Sequence, residues 1–154
     1  PLVTDPGALA IAPQGGIFLA GNDNRELQVA KFTIDGKQAR RFAKNGLLEI
    51  LHPDLITPVY DLAIEADGRP VLAAGGQEWC RGNDGCLEKI RVYRLTRNGK
   101  KDPSFGNAGV AMLSPGQINS RSSSVLLTAE GLLLGGFVET QPGNHETVLL
   151  RMKK

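Results

Sequence analysis

The stretch Leu27–Ile50, LQVAKFTIDGKQARRFAKNGLLEI, is repeated in outline by Ile90–Leu113, IRVYRLTRNGKKDPSFGNAGVAML. The two align without a gap at an offset of 63 positions: Val29 meets Val92, Phe32 meets Leu95, Gly36 meets Gly99, Phe42 meets Phe105 and Gly46 meets Gly109. The flanking sequence repeats as well. Ala8–Gly21, Asp61–Gly75 and Ser124–Gly136 each read as an apolar strand, a Gly-containing turn, a second apolar strand and a Gly. Thr147–Met152 supplies a third copy of the later strand, with Arg151 at the place of Arg94 and Lys31. Three copies of one unit identify a repeat protein.

Each unit reads as short strands. Leu62, Ile64 and Ala66 alternate with Ala63 and Glu65, the pattern of a half-exposed strand, whereas Pro70–Ala74 is a continuous small-apolar run that suits a strand covered on both faces. Gln14-Gly15-Gly16, Asp67-Gly68 and Glu130-Gly131 lie between such pairs as hairpin turns, and Asp35-Gly36 and Asn98-Gly99 supply another turn after the third strand. The segments Phe42–Gly46 and Phe105–Gly109 then lead to a fourth short strand, Leu47–Leu51 or Val110–Leu113. No window has an apolar helical face; even Gly36–Asn45 lacks one. The predicted class is all-β, a β-propeller-like array of about three four-stranded blades. Units are placed at 5–58, 59–120 and 121–154, the last incomplete, with three strands expected in the first, four in the second and three or four in the third. Propellers close with about 4–8 blades, so further blades or a homo-oligomer would complete the ring.

Composition bounds the function. The 154 residues are 41% hydrophobic and 22% charged with a net charge of +2, enough apolar material for a packed core. Lys and Arg form no block, which leaves no electrostatic footprint for nucleic acid, and no apolar run reaches the ~20 residues of a membrane helix. The chain opens at Pro1 without a basic-then-apolar stretch, read as a leader already removed.

Asp102-Pro103-Ser104-Phe105-Gly106-Asn107-Ala108-Gly109-Val110, with its Asp-Gly turn and Val-Leu-Ala-Ala-Gly strand, resembles the delta-60 repeat of bacterial exported proteins. That pattern is roughly Asp-x-x-Phe-Gly-x-x-Gly, a strand, Asp-Gly, an aliphatic-Ala-Gly strand and an aliphatic-Arg-Leu strand; Arg94-Leu95, Asn98-Gly99 and Asp102 fit its last part. The second unit matches best. The first departs from it with Lys31, Ala39 and Ala43 in place of Arg, Asp and Gly, and the third stops at Arg151-Met152. The resemblance implies a propeller-like fold in exported proteins and no defined activity.

Cys80 and Cys86 flank Arg81–Gly85 between two strands expected to be hairpin neighbours. A disulfide there would stabilise by ~2–3 kcal/mol on the chain-entropy relation and indicates a periplasmic or extracellular address. A metal or redox pair is the weaker reading, because His52 and His145 lie in other units. Lys31, Arg94 and Arg151 share one register. They read either as cations around an anionic ligand or as members of ion pairs within a unit, Arg94 with Asp102. Ser122–Ser124 have no nucleophile context, and Asp23, Asp35, Asp67 and Asp84 sit in turns. Trp79, beside the cysteines, either shields a bond between them or joins the two tyrosines, Tyr60 and Tyr93, as a candidate contact aromatic. The loops 22–26, 77–87 and 139–146 join equivalent strands and should share one face. Trp79, Asn22, Asp23, Asn83, Asp84 and His145 in them are the expected binding residues.

The expected function is a non-catalytic exported module that binds a protein or glycan partner, or acts as a scaffold, through those loops, with no cofactor or metal. The alternative is a hydrolase or lyase whose axial site is completed by other blades or subunits.

Overall fold

The computed structural model describes residues 3–23, 26–51, 55–56, 58–78, 87–115 and 118–153. Among these the protein is all-β, built as successive antiparallel sheets. Sheet 1 is a meander of β1 (Asp5–Ile11), β2 (Ile17–Asp23), β3 (Glu26–Phe32) and β4 (Leu47–Leu51). A short ribbon pairs β5 (Leu55–Ile56) with β8 (Gln77–Glu78). Sheet 2 runs in the order β6 (Val59–Ile64), β7 (Pro70–Ala74), β9 (Ile90–Arg94) and β10 (Val110–Leu113). Sheet 3 has β11 (Ser120–Leu127), β12 (Leu132–Gln141) and β13 (Asn144–Met152).

Two details differ from the sequence reading. The strand expected at Leu47–Leu51 is present as β4, so sheet 1 has four strands where three were counted: the Phe42–Gly46 crossing returns the chain beside β3 as the Phe105–Gly109 crossing does beside β9. Two of the anticipated loops are hairpin ends instead. Asn22 and Asp23 are strand residues of β2, paired with Leu27 and Glu26, and β12 and β13 extend the ladder past Glu139 and His145 to a turn at Pro142-Gly143. The ladder wins there because extended pairing satisfies the backbone amides that a loop would leave to water.

The 63-residue offset is reproduced bond by bond. The Lys31 amide donates to Gly46 as Arg94 does to Gly109, Ala39 donates to Lys31 as Asp102 does to Arg94, and Gly46 donates to Phe42 as Gly109 does to Phe105. A further repeat escapes the sequence. The first strand of every sheet carries a bulge at the same place, with Gly7, Tyr60 and Ser123 as the extra residues. Bulges add twist and bend the strand that bears them.

Packing between sheets concentrates on these first strands: β1 lies against β6 and β6 against β11. At Gly7 the backbones come so close that a Cβ would sit 2.2 Å from the Val59 carbonyl oxygen. One apolar cluster joins sheets 1 and 2 through Phe18, Val29, Phe42, Leu62, Leu72 and Tyr93. A second joins sheets 2 and 3 through Val71, Val92, Phe105, Val125 and Leu134. Sheet 2 therefore has both faces covered, and all five residues of β7 are buried, as their unbroken apolar run predicts. Asp61 adds a polar tie, accepting from the amides of Leu62 (2.8 Å) and, across the sheets, Val125 (2.7 Å).

Candidate functional site

Side-chain chemistry gathers at two opposite ends of the sheets. At the end bearing the β2–β3, β7–β9 and β12–β13 connections, Glu88 is the anchor. It lies just before β9, is buried, and accepts a two-pronged contact from Arg121 of β11: Nε to Oε1 at 2.9 Å and Nη2 to Oε2 at 2.8 Å. The Tyr60 hydroxyl donates to Oε1 at 2.9 Å. Burial, followed by the bond to Glu88, pushes the Tyr60 phenol well above its ordinary pKa, so it stays a neutral donor. The bulge that displaces Tyr60 in β6 positions this contact.

The same guanidinium lies 5.3 Å from the Tyr60 ring centre and 5.6 Å from that of Phe137, and Phe137 in turn stacks on His145 at 4.7 Å and 29°. Tyr60, Arg121, Phe137 and His145 form a continuous layer of alternating flat groups. Asn119 braces it: its Oδ1 accepts from the Glu88 amide at 2.7 Å and its Nδ2 donates to Glu139. Glu139 also accepts from the Gly143 amide, which with Asn119 holds its carboxyl below the usual range. The carboxylate of Glu88 is committed to a bidentate guanidinium, so the layer presents flat and hydrogen-bonding surface around a neutralised acid.

The opposite end holds the second cluster. Asp102 accepts from Arg94 Nε at 2.9 Å, from Arg69 Nη1 at 2.9 Å and from the Ser104 hydroxyl at 2.7 Å. Its side chain is 8% exposed, and the Ser104 hydrogen bonds, then the two arginines, hold its pKa down at about 2 against the opposing pull of burial. Arg94 also donates to Ser104 Oγ and stands 4.7 Å from the centre of the Phe105 ring. Arg69 fans out further, to Glu65 at 2.9 Å and Asp67 at 2.8 Å. The other two basic residues of this register have different partners. Lys31 Nζ lies 4.8 Å from the Phe18 ring centre and 6.0 Å from that of Phe42, and Arg151 pairs with Glu130 at 2.7 Å on the surface.

Of the expected contact residues, His145 joins the aromatic layer, whereas Asn22 and Asp23 sit at the end of β2 in sheet 1. Tyr93 is fully buried between sheets 1 and 2 and contributes no contact surface. Trp79, Cys80, Asn83, Asp84, Cys86 and His52 lie outside the described residues. Sequence reading passed over Glu88, Arg121 and Phe137. Their only signal is the mixture of charge and aromatic at strand ends, because the partners are 33 positions apart in sequence for Glu88 and Arg121. Among the described residues no group of three or more His, Cys, Asp or Glu is placed to hold a metal. No helix of the described residues is long and apolar enough to cross a membrane. Set against family models, curated proteins and solved structures, the chain matches none.

Proposed function

We propose that this chain is an exported, non-catalytic β-propeller repeat module of the delta-60 type, which binds a protein or glycan partner through the end of its sheets that carries Glu88, Arg121, Phe137 and His145. The observation that carries the reading is the Tyr60–Arg121–Phe137–His145 layer. It spans two sheets, stands at the rim end, and presents stacked planar groups while its one buried carboxylate is neutralised by a guanidinium. Flat aromatic groups with adjoining donors suit the apolar face and hydroxyls of a sugar, or a planar side chain of a protein. The propeller arrangement draws support from the first strands, which lie side by side with a shared bulge. In a ring these would be the strands that line the axis.

The test is an oligosaccharide array and a panel of tyrosine- and tryptophan-containing peptides, probed with the wild-type chain and with Phe137→Ala and His145→Ala. Retention by the wild type, weakened about fivefold in the Phe137 variant, is the expected result, one stacking contact being worth about 1 kcal/mol. Binding that is unchanged in both variants would move the contact surface elsewhere. A wild type that holds none of these probes would sink the reading.

A further inference from the structure

The end of the sheets that carries Asp102 has the same backbone frame twice, with different side chains in it. The turn between β6 and β7 closes with the Glu65 amide donating to Arg69 and the Gly68 amide to Glu65; the turn between β1 and β2 closes with Ala12 donating to Gly16 and Gly15 to Ala12. Phe18 stands opposite Lys31 as Val71 does opposite Arg94. Glu65, Arg69, Arg94 and Asp102 of sheet 2 therefore correspond to Ala12, Gly16, Lys31 and Ala39 of sheet 1. In sheet 2 the four charged groups close on one another. In sheet 1 three of the four are cut to a methyl group or a hydrogen. The Lys31 chain runs into the room so made, its Cε 3.5 Å from where a Cβ on Gly16 would sit.

A cleft of about 250 Å³ opens at that place, between the β1–β2 turn and the neighbouring turns of sheet 2. Ala12, Gln14 and Lys31 form one wall, and Asp67, Gly68 and Arg97 the other. The walls are tied together: Gln14 Nε2 donates to the Ala66 carbonyl, and the Ala43 amide donates to the Asn98 carbonyl at 2.8 Å. Charge around the cleft has a definite sign. Three arginines, Arg69, Arg94 and Arg97, stand against three carboxylates, Glu65, Asp67 and Asp102, the loosest contact being Arg97 to Asp67 at 4.0 Å. Lys31 is the surplus cation. Among the described residues no carboxylate or other acceptor engages its ammonium, which rests on the Phe18 and Phe42 rings.

We propose that this cleft binds a small hydroxylated carboxylate, the class to which sugar acids belong, and that Lys31 holds the acid. The ligand's carboxylate takes the role that Asp102 has in sheet 2, where an acid meets the cation of the same register at 2.9 Å. An ammonium seated on ring faces gains a charge-assisted bond from such a ligand without giving up another. Arg97, with its side chain 66% exposed, is a second cationic donor on the opposite wall. Gln14 spends its Nε2 on Ala66, so its Oε1 is left as an acceptor, and Asp67 is another. These acceptors suit hydroxyl donors, which acetate lacks. The volume lies just under the roughly 300–1,000 Å³ of pockets for drug-sized ligands, as a molecule of monosaccharide size requires. The site is built from sheets 1 and 2 alone, at the end opposite the Tyr60–Arg121 layer, so it stands or falls independently of what that layer binds.

Amide NMR spectra of the isotope-labelled chain, titrated in turn with sodium glucuronate, glucose and sodium acetate at constant ionic strength, test this. Glucuronate should shift the amides of Gly15, Gly68 and Arg97 in a saturable way, and should bind about tenfold more tightly than glucose or acetate, each of which lacks one of its two kinds of contact. Lys31→Met keeps the apolar stem over the rings and should weaken glucuronate about tenfold. Ala39→Asp builds into sheet 1 the carboxylate that sheet 2 has. It should weaken glucuronate by a similar factor, by competing for Lys31, and it carries the test if Lys31→Met misfolds. The absence of a saturable shift with glucuronate overturns the proposal, as does wild-type affinity in the folded Lys31→Met chain or in Ala39→Asp standing in for it. An equal response to acetate would mean a bare charge effect, and an equal response to glucose a site that does not read the acid; either overturns it as well.

Discussion

The crossings 31–47 and 94–110 run through the same backbone hydrogen bonds, yet they solve the problem of a basic residue over a buried ring in opposite ways. In sheet 2, Arg94 lies over Phe105 and is neutralised by Asp102, which Ser104 and Arg69 also hold. In sheet 1 the carboxylate is absent, Ala39 standing in its place, and Lys31 reaches over Phe18 and Phe42, whose rings meet edge-on at 5.5 Å. The backbone frame is common to both. Only the charge compensation differs, through an ion pair in one and ring quadrupoles in the other. A guanidinium suits the first because its fork reaches several acceptors at once, and an ammonium suits the second as a compact charge on a long apolar stem.

Four measurements would break or sharpen that contrast. The largest effect is expected from Phe42→Ala, which opens a cavity between sheets 1 and 2 and removes one of the rings under Lys31; unfolding free energy should fall by about 4 kcal/mol in urea melts. Asp102→Ala should cost about 3 kcal/mol, because Arg94 then stays buried without its carboxylate. The double variant Arg94→Met/Asp102→Ala should recover much of that loss, as removing both charges leaves neither unpaired. If the double variant is no more stable than the single one, the pair is not the unit that matters.

The third is a pH series. The folded-state pKa of Asp102, about 2, lies below its ordinary value, so the associated stability is present above about pH 4 and is lost as pH falls towards 2. Wild-type melts should therefore drop more steeply between pH 4 and pH 2 than those of the Arg94→Met/Asp102→Ala variant. Parallel curves would remove Asp102 from the account of acid stability. The smallest effects concern the residue after the phenylalanine, which has positive φ in both crossings, 43° at Ala43 and 54° at Gly106. Ala43→Gly should relieve left-handed strain and gain about 0.5 kcal/mol, while Gly106→Ala, whose Cβ would sit 2.3 Å from the Val110 carbonyl oxygen, should lose about 2 kcal/mol. Thermal denaturation of the two variants side by side should show shifts of opposite sign.

The repeat and its strands were open to a reading of the residues, because turn-forming pairs such as Asp35-Gly36 and Asn98-Gly99 and the apolar runs between them act within a few positions of chain. The departures at Lys31, Ala39 and Ala43 were visible too. Their consequence was not, since Phe18 stands on another strand and reaches Lys31 only through the β2–β3 pairing. The aromatic layer at the other end was hidden for the same reason. Tyr60, Glu88, Arg121 and Phe137 come from separate segments of chain and two sheets, and they meet because bulged first strands stack on one another.

The sequence by itself determined an all-β chain, its repeated strand unit and the turns that divide its strands. All of these depend on local backbone preference and on the alternation of apolar residues. Tertiary structure alone decided which strand of each sheet packs against the next sheet, which charges are neutralised by carboxylates and which rest on rings. Those choices depend on distances between residues that the chain order does not bring together, and they are settled only when whole sheets pack.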